Sequence, residues 1–145
     1  MTQPPYEVLE HTADVGLRIH GRSMSELFSN AGLGLMALAM NAEASDTQEI
    51  QSREPLPLSA SGSDAEQLLV NWLSEILYHM DAEGWMFARF TVKDCSLTSI
   101  AGEGWGERRD PAMRSRAVAV KAVTYHQLSV IETPADWQAT VYFDI

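Results

Sequence analysis

Two acidic side chains, a histidine and a glycine lie within seven residues near the start of the chain, in the segment EHTADVG (residues 10–16). The segment separates two short stretches of β-type sequence, and Gly16 is a residue that tolerates the backbone angles of a turn. Asp14 can cap such a turn by accepting backbone hydrogen bonds, or its carboxylate can bind a cation. His11 allows the same two interpretations, a hydrogen-bonded structural residue or a metal ligand.

More acidic groups are predicted at the C-terminal end. Residues 137–145, WQATVYFDI, alternate apolar and polar residues to the last position, which predicts a strand whose end is held by Phe143 and Ile145. An ordered end would fix the α-carboxylate of Ile145 beside the side chain of Asp144. Because both groups are ionised at neutral pH, they repel each other unless a cation or several hydrogen-bond donors lie near them. The alternative is a frayed tail with both carboxylates in water.

Lys121 is the third candidate, inside the apolar segment AVAVKAVTY. Strand alternation places it on the same face as Val123 and Tyr125, and a lysine buried in such surroundings needs a carboxylate partner to keep its charge. The other interpretation is an edge-strand lysine that discourages aggregation between sheets.

The candidate ligands Asp14, Asp144 and the terminal carboxylate offer oxygen atoms only. Oxygen donors suit Mg²⁺, Ca²⁺ or Mn²⁺ better than Zn²⁺, and a contribution from His11 would favour Mn²⁺. Glu75 lies on the shoulder of its predicted helix, between the apolar stripe and solvent, and the pattern favours a surface glutamate there.

Composition limits the class of protein. The chain has 145 residues, which is the size of one domain, and residues 1–145 contain no linker that would divide it. Cys95 is the single cysteine, so no intramolecular disulfide can form, and a reducing, cytoplasmic location is expected. The first ten residues carry neither a basic patch nor an apolar run, and no apolar stretch is long enough to span a bilayer, so neither a leader nor a membrane span is expected. The formal charge of −10 argues against free-standing nucleic-acid binding and favours metal ions or a basic protein partner.

The first of two predicted helices covers SMSELFSNAGLGLMALAM, residues 23–40. Ser23 and Glu26 have the spacing of a capping box, and the apolar residues that follow have helical spacing. Gly32 and Gly34 weaken the helix intrinsically, so we expect them to mark a place where another backbone packs closely.

The second predicted helix covers SDAEQLLVNWLSEILYHMDAEG, residues 63–84. Ser63 and Glu66 repeat the capping box, and Gly84 is expected to end the helix.

Strands are predicted on both sides of these helices. YEVL and LRIHG precede the first helix, and residues 47–59 leave room for one strand. MFARFTVKD and SLTSIAGEGWGE read as a hairpin, followed by three strands in RAVAVKAVTYH, LSVIE and WQATVYFDI. This layout predicts an α+β fold, a single-domain sandwich in which two main helices pack with mixed β-sheet.

The combination of YEVLEHTADVGLRIHG, VKAVTYHQLSV and a final VYFDI resembles the archease family, and the likeness extends over essentially the full length. The resemblance implies a small protein that activates RtcB-type RNA ligases in tRNA splicing and RNA repair. Such a protein promotes transfer of GMP onto the active-site histidine of the ligase and allows multiple turnover. It would be an activator and not itself an enzyme.

The resemblance also assigns residues. Family members hold a divalent metal with the aspartate of the HTAD motif, the terminal aspartate and the chain-end carboxylate, which match Asp14, Asp144 and Ile145. The functional lysine of the family matches Lys121, and a glutamate position in the second helix matches Glu75.

One departure and two alternatives stay open. Arg114 stands in an arginine-rich loop where the family pattern leads us to expect a histidine, so contact with the partner can differ. A chaperone-like modulator of an RNA methyltransferase would need an exposed apolar patch and would be indifferent to chelators. A metal-dependent phosphohydrolase is disfavoured, because the chain offers few general bases and no glycine-rich phosphate cradle.

Overall fold

The computed structural model describes residues 3–10, 14–40, 50–108 and 120–145. It contains two helices and seven strands in these parts of the chain. In chain order they are β1 (Tyr6–Glu10), β2 (Asp14–Gly21), α1 (Met24–Met40), β3 (Glu54–Ser61), α2 (Ala65–Glu83), β4 (Trp85–Cys95), β5 (Ser99–Arg108), β6 (Ala122–Glu132) and β7 (Trp137–Asp144).

The strands form two sheets. One has four strands in the order β1-β2-β7-β6, and the other has three in the order β3-β5-β4. Helix α1 contacts β2 and β4, and α2 contacts β3 and β6, so each helix packs against both sheets. This confirms the predicted α+β sandwich. The expectation of mixed sheet was wrong, because every strand pair of the described residues is antiparallel. Three of these pairs join consecutive strands, which need only short connections.

The start of α1 matches the predicted cap in part. The Glu26 N–H donates to Ser23 Oγ at 3.1 Å, but the Glu26 carboxylate accepts from the Arg22 N–H and does not complete the capping box. Gly32 does mark a close approach, although the neighbour is a side chain and not a backbone. A Cβ at Gly32 would lie 2.6 Å from the Phe90 ring of β4.

The cap of α2 lies one residue later than predicted. Asp64, and not Ser63, is the N-cap, and its Oδ1 accepts from the Gln67 N–H at 2.8 Å. Gln67 in turn accepts from the N–H of Ser63, the residue before the cap, so the reciprocal bond of a capping box is not completed here either. Gly84 ends the helix as predicted, with a φ of 79°.

The predicted strands RAVAVKAVTYH and LSVIE are one strand where the structure describes them. β6 runs from Ala122 to Glu132, and its pairing with β7 is irregular between Thr124 and Ser129. Gln127 has a φ of 51°, which makes it the one residue other than glycine with a positive φ in the described residues. A local bulge therefore replaces the predicted break between two strands.

The core fixes the four-stranded sheet against the helices. Leu17 and Ile19 of β2 and Val141 and Phe143 of β7 are buried, on the face that packs inward. Trp72 of α2 is also fully buried, and its Nε1–H donates to the Phe28 carbonyl of α1 at 3.0 Å. Within the described residues, no helix combines the length and the apolar character that crossing a membrane requires.

Candidate functional site

Asp14 and Asp144 are direct partners at one end of the four-stranded sheet. Asp14 begins β2, Asp144 ends β7, and the antiparallel register places them opposite each other. The next pair, Val15 with Phe143, turns toward the core, and Phe143 is fully buried. Because successive residues of a strand point to opposite faces, the two carboxylates share the outer face of the sheet. The structure therefore brings together the two aspartates that the sequence singled out.

This pair is electrostatically unfavourable without a counter-charge. Like charges directly opposite each other destabilise a sheet, and one oxygen of Asp14, Oδ1, is inaccessible to solvent. Asp144 is exposed. Among the described residues, no group of three or more His, Cys, Asp or Glu side chains is arranged to hold a metal ion. Two carboxylates, completed by a terminal carboxylate or by water, fit an oxygen-preferring ion such as Mg²⁺, Ca²⁺ or Mn²⁺.

Lys121 lies beside the aspartate pair, but it is not buried. Its N–H donates to the Asp144 carbonyl at 2.9 Å, while its side chain is exposed. The prediction of burial was wrong because β6 is the edge strand of the described sheet and begins only at Ala122, so that Lys121 sits at a corner of the sheet. The alternative of an edge lysine describes its position better.

Ile145 was expected to anchor the chain end, but it does not. Its side chain is 48% exposed, whereas Phe143 is fully buried, so Phe143 supplies the apolar anchor nearest to Asp144.

The role assigned to Gly16 was also wrong. Gly16 lies within β2, opposite Tyr142, and a Cβ at this position would lie 2.7 Å from the Tyr142 ring. Glycine is therefore needed for the close approach of a ring and not for a turn. The His126 and Tyr142 rings make an edge-to-face contact, with the ring centroids 5.5 Å apart.

Sequence reasoning missed Tyr142 and His126 as neighbours of the site. Tyr142 is two residues before Asp144 and shares its face of the sheet, where it is nevertheless buried. The available signal was the small Gly16 among bulkier strand residues. It becomes informative only when the β2–β7 register is known.

Glu75 is placed on the flank of α2, in agreement with its predicted shoulder position. His79 lies between two glutamates: its Nε2 is 2.8 Å from Glu75 Oε1, and its Nδ1 hydrogen-bonds to Glu83. Burial by itself would lower the pKa of His79, but the hydrogen bonds to Glu83 and Glu75 outweigh it and raise the pKa above its ordinary value. Among the described residues, His79 is the only polar partner of Glu75. Glu75 therefore does not contact the aspartate pair.

Two further predicted residues, His11 and Arg114, lie outside the described residues.

Comparisons with known proteins give a consistent picture. The model of the Archease protein family (MTH1598/TM1083) matches residues 6–145. A protein archease of Saccharolobus solfataricus is 38% identical over 141 residues, covering 97% of this chain and 98% of the relative. A protein archease of Sulfurisphaera tokodaii is 36% identical over 126 residues, covering 86% and 87%.

A solved structure agrees with the fold. The solution structure of Methanobacterium thermoautotrophicum protein 1598 matches with a TM-score of 0.80 and 28% identity, covering 97% of this chain and 99% of that one. Sequence and fold agree over nearly the whole length, and the chain belongs to the archease family.

Proposed function

We propose that this protein is a metal-binding activator of an RtcB-type RNA ligase, working in the cytoplasm and not as a catalyst. The observation that carries the proposal is the register pairing of Asp14 with Asp144. Two carboxylates held opposite each other repel unless a cation or hydrogen-bond donors offset their charge, and a divalent cation would offset both at once, which supports binding as the role of this pair.

Asp14 and Asp144, with the carboxylate that Ile145 carries, are the groups that would hold the ion. Phe143 is buried directly before Asp144 and anchors the backbone at the end of β7. Bound there, a divalent cation would supply charge neutralisation beside the triphosphate from which GMP is transferred to the ligase histidine.

Lys121 would contribute a positive charge next to this site. Its backbone is held at Asp144 by the 2.9 Å hydrogen bond, while its exposed side chain lines the groove beside α2 and is available to a phosphate. Because the side chain is exposed, we expect Lys121→Ala to leave the fold intact and to reduce ligase activation.

The overall charge supports a protein partner. A charge of −10 repels RNA but is attracted to the basic surface with which a ligase binds RNA. The acidic pair would therefore approach the ligase directly.

The test is guanylylation of a cognate ligase, measured as covalent GMP incorporation with and without this protein. We expect stimulation that EDTA removes and that added Mn²⁺ or Ca²⁺ restores. No stimulation by the wild-type protein would contradict the proposal. Stimulation that persists in EDTA would instead indicate an activator of the chaperone type, which needs no metal.

Substrate turnover is the remaining check. The metal-loaded protein, incubated alone with GTP and with RNA carrying a 3′-phosphate, is expected to release no product. Steady product release would indicate a phosphohydrolase.

A further inference from the structure

Three strongly exposed apolar side chains lie on the segments that meet near Lys121. Tyr78 is 59% exposed, Tyr125 is 60% exposed and Ile145 is 48% exposed. We call Tyr78, Lys121, Tyr125 and Ile145 the terminal face. The other large apolar side chains with comparable exposure in the described residues lie elsewhere in the fold, at Val8, Leu97 and Ile131.

Local structure brings the terminal face together. The second half of α2 runs beside the start of β6, and a groove of about 270 Å³ separates them, lined by Ser74, Leu77, Tyr78, Asp81, Lys121, Ala122 and Val123. Tyr125 follows Val123 by two residues on β6, at the start of the irregular stretch, where its side chain is exposed. The hydrogen bond from the Lys121 N–H to Asp144 brings Ile145 to this corner.

The two tyrosines are suited to contact a partner. Neither hydroxyl has a hydrogen-bond partner among the residues that the structure describes. The Tyr78 ring packs on the His79 ring, with the centroids 5.3 Å apart, and His79 is held on both sides by Glu75 and Glu83. A side chain braced in this way loses little conformational entropy on binding, and tyrosine is among the residues that contribute most at protein interfaces.

The charges around the terminal face indicate the kind of partner that it can bind. Asp81 places a carboxylate in the groove, and Asp144 is bonded through its backbone to Lys121 at the chain end, so acidic residues adjoin the terminal face. Lys121 is the only lysine or arginine among the described residues that line the groove. A complementary surface would carry an apolar patch for the tyrosine rings and basic side chains around it, whereas an RNA backbone would be repelled.

We infer that the terminal face docks on a protein partner, at a surface that has an apolar centre and basic side chains around it. The inference rests on the proposed function in taking the RNA ligase as that partner. It adds that Tyr78 and Tyr125 supply affinity, while the aspartate pair acts only once the complex has formed.

The experiment measures the dissociation constant between the cognate ligase and the full-length protein by calorimetry. Tyr78→Ala and Tyr125→Ala are each expected to weaken binding at least tenfold. Leu97→Ala and Ile131→Ala are matched controls, since these side chains are equally exposed but lie outside the terminal face, and they are expected to change affinity less than twofold. Circular dichroism checks that each variant is folded.

A second pair of variants tests the charge of the partner. Tyr78→Lys and Tyr125→Lys place a cation against a basic surface and are expected to bind more weakly than the alanine variants. Tighter binding of the lysine variants would overturn the inference. The inference would also be overturned if the alanine variants lost affinity for single-stranded RNA and kept their affinity for the ligase. That result would indicate an RNA-binding face.

The outcomes separate the two proposals. If the wild-type protein binds and stimulates the ligase, and both tyrosine variants bind with unchanged affinity, the terminal face is not the docking surface. The proposed function would then still stand. Absence of any binding by the wild-type protein would overturn both.

Discussion

Asp14 and Asp144 face each other as direct partners of strands β2 and β7, although they come from opposite ends of the sequence. The buried Phe143 and the Tyr142 ring over Gly16 fix the end of β7 next to this pair. The fold thus holds two like charges at directly paired positions of neighbouring strands. Such an arrangement opposes stability and is typical of a functional site.

The first prediction concerns the stability cost of this pair. In EDTA, Asp144→Asn is expected to raise the free energy of unfolding by about 0.5 kcal/mol, since it removes a cross-strand repulsion. Added Mn²⁺ or Ca²⁺ at about 100 times its dissociation constant should stabilise the wild-type protein by about 2.7 kcal/mol and the variant much less. Thermal unfolding followed by circular dichroism measures both effects.

Asp94→Asn is the matched control for this experiment. Asp94 is an exposed strand aspartate in the other sheet, so its replacement should leave the metal-induced rise in melting temperature unchanged. An equal metal-induced rise in the Asp144 and Asp94 variants would show that the ion binds elsewhere.

The second prediction concerns pH. Since the pKa of His79 is raised in the folded state, the stabilisation from its contacts with Glu83 and Glu75 is complete below the unfolded pKa of 6.5 and is lost as pH rises through the higher folded value. The wild-type protein should therefore exceed His79→Gln in stability most at about pH 5.5, and the gap should close toward about pH 9. Urea unfolding at several pH values measures the gap. A gap that is constant with pH would contradict a charged His79.

The third prediction concerns packing at Gly32. Alanine favours helix formation by up to about 1 kcal/mol over glycine, but its Cβ at this position would lie 2.6 Å from the Phe90 ring. We expect Gly32→Ala to destabilise the protein by about 1–3 kcal/mol through overpacking. Denaturant unfolding measures the change.

Phe90→Leu tests the cause of that loss. The double variant of Gly32→Ala with Phe90→Leu should lose less stability than the sum of the two single variants, because the smaller side chain makes room for the methyl group. Additive losses would show that the ring is not the obstacle.

Periodicity and capping predicted much of the fold, because these signals are local. Both helices and the β4–β5 hairpin were found where the apolar pattern placed them. The predictions failed where contacts between residues distant in sequence determine the local structure. A bulge at Gln127 joins two predicted strands, and the exposure of Lys121 depends on β6 being an edge strand.

At the candidate site, too, the local features were predictable from the sequence and the long-range contacts were not. The acidic character of Asp14 and Asp144 was visible in the sequence, and so was their possible convergence with the chain end. The register that places them opposite each other, and the Tyr142 ring that requires Gly16, could not be inferred without the sheet order. Glu75 had a local signal only, and the structure pairs it with His79 on its own helix.

The most direct test of the central claim is a double-mutant cycle on ligase guanylylation, with Asp14→Asn, Asp144→Asn and the double variant compared with the wild-type protein. If the two carboxylates form one cation site, each single variant should lose nearly all of the stimulation, and the double variant should lose no more. Independent losses that multiply in the double variant, or full stimulation by either single variant, would contradict a shared site.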